Sequence, residues 1–214
     1  MRLSVVTGLA LLTAVQAVPP AAPTTPPMEP QEPTGVCLTV PERVRLSPEK
    51  QVDKLCFKCN LDEFDSEWDS PYRTPGFEWW TDGCTASPDE PMPGLNYTKS
   101  CRRHDFCYHT LKKQGRFYRN VKTEVDNIFF KDMNDACASV PEDKKKDTPW
   151  WMFWISPAGA AVRHVIFNCD VWANLYHISV DNFGKFETSL DDPPEGKEYE
   201  VVDGRVQEKS AVKA

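Results

Sequence analysis

The sequence predicts an all-α fold, a small disulfide-stabilised helical domain that includes two antiparallel helices, with a flexible N-terminal leader and a flexible C-terminal tail. Apolar residues recur at helical spacing in four segments, and the alternation typical of strands is scarce. All eight cysteines lie between Cys37 and Cys169, an even number that predicts four disulfides in an oxidising compartment.

Composition divides the 214 residues into four regions. The first combines Arg2, a short apolar run and small residues before Val18, which is typical of a cleavable secretory signal. The apolar run is too short for a bilayer, which needs about 20 residues, so an N-terminal membrane anchor is the less favoured alternative. The expected regions are a signal at 1–17, a Pro-rich linker at 18–35, the folded domain at 36–185 and an acidic, disordered tail at 186–214. We therefore expect a secreted, extracellular protein.

Charge limits the partners. Removing the signal takes away only Arg2, so 24 of the 25 basic residues remain beside 32 acidic ones, for a formal charge of −8. Such a chain is not expected to bind nucleic acid. The Cys56-x-x-Cys59 pair does not predict zinc, because no second pair stands at zinc-finger spacing. We expect a monomer.

The first two helices are predicted from their end signals. Ser47 caps a helix that has Pro48 at its first position, and Val52, Leu55, Cys56 and Cys59 follow at helical spacing. The second helix runs from about Thr98 to Gln114 and ends at Gly115.

The next two helices are predicted from apolar stripes. The third, near 121–138, carries Val125, Ile128, Phe129 and Ala136 on one side. The fourth begins at Ser156-Pro157 and continues through Cys169 to Tyr176. If the Gly115 turn folds the second and third helices against each other, the two lie antiparallel.

The strongest chemical signal is CRRHDFCYH, from Cys101 to His109. His104 and Asp105 are adjacent, so on a helix they point about a quarter-turn apart and need different partners. Asp126 lies beside the apolar stripe of the third helix and needs a partner of its own, which an imidazole on the facing helix can supply. Tyr108, one turn after His104, can donate to the same carboxylate. The alternatives Asp132 and Asp135 are expected to be solvated.

A Gly- and Pro-rich loop, WWTDGCTASPDEPMPG, precedes this helix. Hard cations prefer several oxygen ligands, and Asp82-Gly83 offers a carboxylate and a backbone carbonyl. With Asp105 these groups predict a calcium site. The alternative is an ordinary Asp-Gly turn with a capping aspartate.

The stretches TDGC, SPDEP, CRRHDFCY and VDNIFFKDMNDAC together resemble the bacterial and fungal secreted phospholipase A2 family, over roughly Phe77 to Tyr176. The piece CRRHDFCY is also similar to the animal secretory pattern C-x-x-H-D-x-C-Y, but the glycine-rich calcium loop of those enzymes is absent. The resemblance implies calcium-dependent hydrolysis of the sn-2 ester of glycerophospholipids, releasing a fatty acid and a lysophospholipid. It implies His104 as general base and Asp126 as its orienting carboxylate. It also implies calcium bound by Asp82, the Gly83 carbonyl and Asp105.

The resemblance further implies the disulfides Cys84–Cys101 and Cys137–Cys169, which leaves Cys107 to pair with Cys37, Cys56 or Cys59. Two departures are visible. Cys107 stands where microbial members often have glycine, and the interval from His104 to Asp126 is about one residue longer than in bacterial members. The segment before the resemblance and the acidic tail lie outside it.

Two further features concern the surface. Asn96-Tyr97-Thr98 is the one N-x-[ST] sequon, so Asn96 is a candidate for glycosylation. The run from Trp150 to Ile155 either folds over the core or contacts phospholipid aggregates or a membrane surface, where indole rings are favoured.

The rival function is a catalytically silent secreted protein that binds lipid or a receptor on the same scaffold. A structural disulfide-rich surface protein, without calcium dependence, is a third reading. A serine or cysteine nucleophile is disfavoured, because the cysteines are expected to be oxidised and no G-x-S-x-G is present. The intact set of His104, Asp105, Asp126 and Asp82 favours the enzyme.

Overall fold

A computed structural model describes residues 35–85, 87–141, 168–187 and 190–209 of the chain. Within these ranges the fold is helical, with four disulfides and one two-stranded sheet, so the predicted fold class is confirmed. The elements are α1 (Val40–Arg45), α2 (Pro48–Phe57), α3 (Leu61–Trp68), α4 (Thr98–Lys113), α5 (Arg119–Ala138), α6 (Cys169–Glu187), β1 (Tyr199–Val202) and β2 (Arg205–Glu208). None of the described helices combines the length and apolar character that crossing a bilayer requires.

Local capping explains where the short helices begin. Ser47 accepts a hydrogen bond from the Lys50 amide at 3.4 Å, as its predicted role at the start of α2 requires. The helices α1 and α3 were not predicted. Each begins with a capping box, formed by Thr39 with Glu42 and by Asn60 with Glu63.

Helices α4 and α5 match their predicted ranges to within two residues and run antiparallel. Gly115 ends α4 with a φ of +64°, and its amide bonds back to the Lys112 carbonyl at 2.9 Å. The chain then reverses, so Tyr108 near the end of α4 contacts Phe117 ahead of α5, and Arg103 near the start of α4 meets Asp132 well along α5.

The buried side chains form two clusters, and α4 and α5 contribute to both. Phe106, Leu111 and Val125 belong to the first cluster, with α2 and α3, whereas Phe129 and Met133 belong to the second, with α6. His104 and Asp126 therefore lie where the helix pair passes from one cluster to the other.

The disulfides tie α4 to its surroundings on both sides of His104. Cys101 is joined to Cys84 in the preceding loop, and Cys107 is joined to Cys56 on α2. The remaining pairs are Cys37–Cys59 and Cys137–Cys169. Each bridge of this kind typically stabilises a fold by about 2–4 kcal/mol. Among the described helices, α4 is the one that carries two bridged cysteines.

Residues 199–208 form a hairpin of the strands β1 and β2, within the region 186–214 whose acidic composition predicts a disordered tail. Val202 lies opposite Arg205, which leaves Asp203 and Gly204 as a two-residue loop. Both have positive φ, 49° and 62°, as a type I′ turn requires. Asp-Gly between YEVV and RVQE is a sequence signal for a hairpin, whereas the many charges of the segment favour disorder.

This hairpin packs against the helical body. Asp53 of α2 accepts a hydrogen bond from the Val206 amide at 3.2 Å and pairs with Arg116 at 2.9 Å. Burial raises the pKa of Asp53 in spite of the Arg116 charge. The ring of Tyr199 stacks on Tyr118 with centroids 4.4 Å apart. The residues after α6 thus complete the first cluster.

Several predictions lie outside the described residues: the signal at 1–17, nearly all of the linker at 18–35, the Ser156-Pro157 start of the fourth helix, and the run from Trp150 to Ile155. The last helix is described from Cys169 onward.

Two glycines offer a matched test of hairpin docking, because both have positive φ and only one contacts the body. A Cβ at Gly204 would lie 2.6 Å from Lys58 Cγ and 3.3 Å from Phe57 Cβ, whereas a Cβ at Gly196 meets nothing within 4 Å. Both alanine variants carry a strain of about 1 kcal/mol. We expect Gly204→Ala to lower the melting temperature more than Gly196→Ala and to expose the hairpin to proteolysis. Equal behaviour of the two variants in calorimetry and limited proteolysis would contradict this docking.

Candidate active site

The core of the site is a histidine–carboxylate pair between α4 and α5. His104 Nε2 lies 3.1 Å from Asp126 Oδ1, and the two side chains are 9% and 5% exposed. A carboxylate accepts, so Nε2 carries a proton, and in the neutral form of the ring Nδ1 then has the lone pair. Among the described residues nothing bonds to Nδ1, which leaves that nitrogen available to accept a proton.

Asp126 is held by two further donors. The Tyr108 hydroxyl donates to Oδ1 at 2.6 Å, and Lys122 Nζ donates to Oδ2 at 2.5 Å. Burial raises the pKa of Asp126, but the hydrogen bond and electrostatic influence of His104, with the hydrogen bonds from Lys122 and Tyr108, outweigh it, and the pKa falls below its ordinary value. Asp126 is therefore ionised, as an orienting carboxylate must be.

Two aromatic rings enclose the His104 imidazole. The ring centroid of Tyr108 lies 4.2 Å from that of His104, and the centroid of Phe129 lies 4.4 Å away. Both rings belong to buried residues. They restrict rotation of the imidazole and keep water from the His104–Asp126 hydrogen bond.

A second buried contact joins the same helices. Arg103 Nε donates to Asp132 Oδ2 at 2.8 Å, a further Arg103 nitrogen donates to the other oxygen, and Arg103 Nη1 donates to the Cys59 carbonyl at 2.6 Å. The expectation that Asp132 is solvated is wrong, because it faces α4 and is 2% exposed. Asp135, paired with Lys131, is exposed as expected. Arg103 thus fixes the register of α4 on α5 one residue before His104.

The candidate cation ligands lie on the preceding loop and on α4. Asp105 Oδ2 accepts a hydrogen bond from the Thr81 hydroxyl at 2.6 Å, and that hydroxyl accepts one from the Gly83 amide at 3.0 Å. Asp82 accepts a bond from Thr85 at 2.6 Å. Thr81 therefore joins Asp105 to the loop that carries Asp82 and Gly83.

The negative charges of Asp82 and Asp105 favour binding of a cation. Burial raises the pKa of Asp105, and the nearby charge of Asp82 raises it further, against the lowering effects of Thr81 and His104. Within the described ranges no lysine or arginine pairs with either aspartate, whereas Asp53, Asp126 and Asp132 each have such a partner. A bound cation would supply the positive charge that the protein leaves out.

Glycine is required at Gly83, whose φ is +81°. A Cβ there would lie 3.0 Å from Asp89 Oδ1, the atom that accepts a hydrogen bond from the Cys84 amide at 2.9 Å. This close packing holds the turn that presents the Gly83 carbonyl.

Another cluster of ligand residue types in the described part, Cys137, Cys169 and Asp170, offers no thiolate, because its sulfurs form a disulfide.

The remaining predicted residues lie at the periphery. Asn96 is exposed just before α4, where it donates to Glu90 at 2.9 Å and accepts from the Thr98 amide at 2.8 Å. Its glycosylation stays a prediction.

Three residues with site contacts were not identified from the sequence: Thr81, Arg103 and Lys122. The i, i+4 spacing of Lys122 and Asp126 on one helix was the available signal for the last of them.

Comparison with known proteins gives two matches. Residues 52–152 match the family described as "Prokaryotic phospholipase A2". A curated protein of Arthroderma benhamiae (strain ATCC MYA-4681 / CBS 112371), "Secretory phospholipase A2", is 31% identical over 86 residues, which is 40% of this chain and 57% of the relative. The chain thus spans less than two thirds of the length of that relative. The family match includes the positions of Asp82, His104, Asp105 and Asp126.

Proposed function

We propose that this protein hydrolyses the sn-2 ester of glycerophospholipids in a calcium-dependent reaction. The resemblance to the secreted phospholipases A2 of bacteria and fungi, expected over roughly Phe77 to Tyr176, is supported by the family match over residues 52–152 and by the fungal relative. The products are a fatty acid and a lysophospholipid. The observation that carries the proposal is the His104–Asp126 pair. Among the described residues His104 Nδ1 has no hydrogen-bond partner, and Asp105, the next residue on α4, pairs with no lysine or arginine.

In the proposed mechanism His104 is the general base. Nδ1 takes a proton from a water molecule as the water oxygen attacks the ester carbonyl carbon. Asp126 keeps the ring in the Nε2–H tautomer and stabilises the imidazolium that forms. The imidazolium then returns its proton to the departing sn-2 oxygen as the carbon–oxygen bond breaks. No covalent acyl-enzyme is needed.

The proposed calcium ligands are Asp82, the Gly83 carbonyl and Asp105. When bound, the ion supplies positive charge for the lipid phosphate and for the ester oxygen that becomes negative in the transition state. The residues of this chain hold those ligands in place: the Thr81 hydroxyl contacts Asp105 and the Gly83 amide at once.

The alternative is a catalytically silent lipid- or receptor-binding protein on the same scaffold. Such a protein has no need of a buried imidazole whose carboxylate partner receives three hydrogen bonds. Burying ionised groups costs free energy, and a proton-transfer role accounts for that cost. The enzyme is therefore favoured.

The proposed site of action is outside the cell, at the surface of phospholipid aggregates or membranes. The four disulfides suit an oxidising compartment. Trp80 is 53% exposed, precedes Thr81 and contacts the His109 ring edge-on at 5.1 Å. Because indole rings favour the lipid–water interface, we propose that Trp80 contacts the lipid surface beside the site.

The first test is the general base. Replacing His104 by Gln should lower the turnover number by about 10²–10⁴-fold, because proton abstraction is lost. The assay is fatty-acid release from sn-2-labelled phosphatidylcholine, with calcium or with a chelator. His177→Gln is the control, since that histidine is half-buried on α6 against Phe130. Near-parental activity of His104→Gln would reject the mechanism.

The second test separates metal ligands from the base pair. Asp82→Asn and Asp105→Asn should each weaken calcium binding about tenfold or more, since ligand charge tunes calcium affinity. Asp126→Asn should leave calcium affinity nearly unchanged and lower turnover. Isothermal titration calorimetry decides between the roles: equal loss of calcium in all three variants would mean that they are assigned wrongly.

The third test concerns the lipid surface. Trp80→Ala should reduce activity on phosphatidylcholine vesicles about tenfold while sparing a monomeric short-chain substrate, because only the vesicle offers an interface to the indole. Val44→Ala is the control, since Val44 is 85% exposed on α1, which carries no candidate site residue. A parallel loss on both substrates would assign Trp80 to the active site or to stability instead.

A further inference from the structure

Lys122 is a buried amine beside the candidate active site. Its side chain is 7% exposed, and Nζ lies 2.5 Å from Asp126 Oδ2, 3.4 Å from the Val180 carbonyl and 5.8 Å from the Tyr108 ring centroid. An unpaired ammonium in such a place is strongly destabilising. The buried position therefore depends on the carboxylate of Asp126.

The three hydrogen-bond donors around Asp126 are divided between the two oxygens of its carboxylate. His104 and Tyr108 both use Oδ1, whereas Lys122 uses Oδ2. Partial rotation of the carboxylate about its Cβ–Cγ bond would move both oxygens away from their donors and weaken all three contacts. Because Lys122 anchors Oδ2, Oδ1 stays directed at His104 Nε2.

We propose that Lys122 is a positioning residue for the general base, acting through Asp126 to hold the His104 ring in the Nε2–H tautomer with Nδ1 toward the substrate. This inference rests on the proposed function. Lys122 and Asp126 together are electrically neutral, so the carboxylate stays ionised although water is excluded from it.

A second lysine on the same helix provides a matched control. Lys131 pairs with Asp135 at the same i, i+4 spacing and the same 2.5 Å distance, but the two side chains are 65% and 61% exposed. Lys122 and Lys131 therefore differ in burial and in the role of the partner carboxylate, and they share the same helix, the i, i+4 spacing and the 2.5 Å pair distance.

The kinetic test compares Lys122→Met with Lys131→Met on a monomeric short-chain phospholipid. Lys122→Met should lower kcat about 10–100-fold, the usual effect of losing a group that orients a catalytic residue, with KM changed less than about twofold. Lys131→Met should keep both parameters. Lys122→Arg, which retains the charge and a donor, should recover part of kcat. Parental kcat in Lys122→Met would overturn the proposal.

A double-mutant cycle separates positioning from plain stability. If Lys122 acts through Asp126, adding Lys122→Met to Asp126→Asn should lower kcat no further, because the carboxylate it holds is already gone. Independent action would instead multiply the two losses and overturn the proposal. If Lys122→Met does not fold, Lys122→Gln takes its place in the cycle with the same expected outcome.

A measurement without turnover distinguishes the failure of this inference from failure of the proposed function. Imidazole ¹⁵N chemical shifts, recorded at one pH, report which ring nitrogen of His104 carries the proton. The parent and Lys131→Met should show the Nε2–H tautomer, and Lys122→Met a mixture. Unchanged shifts in Lys122→Met would overturn the positioning role, whereas a mixture beside an inactive parent would overturn only the phospholipase activity.

Discussion

The antiparallel contact between α4 and α5 is the constraint on which the rest of the domain depends. Hydrogen bonds from α4 to two aspartates of α5 cross it, from Arg103 to Asp132 and from His104 and Tyr108 to Asp126. Because Arg103 and His104 are consecutive, the first contact sets the register in which the second forms. The disulfides of Cys101 and Cys107 restrain the same stretch of α4 from opposite ends. The geometry of the candidate base is thus a property of the helix pair.

The buried aspartates of α2 and α5 differ in charge compensation from the two aspartates of the candidate cation site. Asp53, Asp126 and Asp132 are buried and each pairs with a lysine or arginine, so their charge is compensated by the protein. Asp82 and Asp105 have no such partner among the described residues, and the charge of Asp82 raises the pKa of Asp105. A fold that supplies cations elsewhere leaves room for an external cation here.

The sequence predicts the helices that have strong end signals and the site residues that have distinctive chemistry. Ser47-Pro48, Gly115 and the apolar stripe of α5 fixed three helices, and the need of a buried acid for a partner paired Asp126 with His104. The sequence does not predict the ion pairs that depend on the register of two packed helices. Lys122 and Asp132 look like ordinary surface charges in the sequence, and only the rotation of α5 against α4 buries them. The hairpin differs from the prediction for another reason: the acidic composition of the segment favours disorder, whereas its Asp203-Gly204 pair favours a type I′ turn.

The docking of the C-terminal hairpin sets an order on folding. The Val206 amide bonds to Asp53 across 153 positions of the chain, and Phe117 bonds to Asp191 across 74. Contacts between such distant residues form late, because closing long loops costs entropy before any contact compensates it. The first cluster stays open on its hairpin side until synthesis has passed residue 206. A chain exported from its N-terminus would therefore remain incompletely packed throughout translocation and close only on the far side of the membrane.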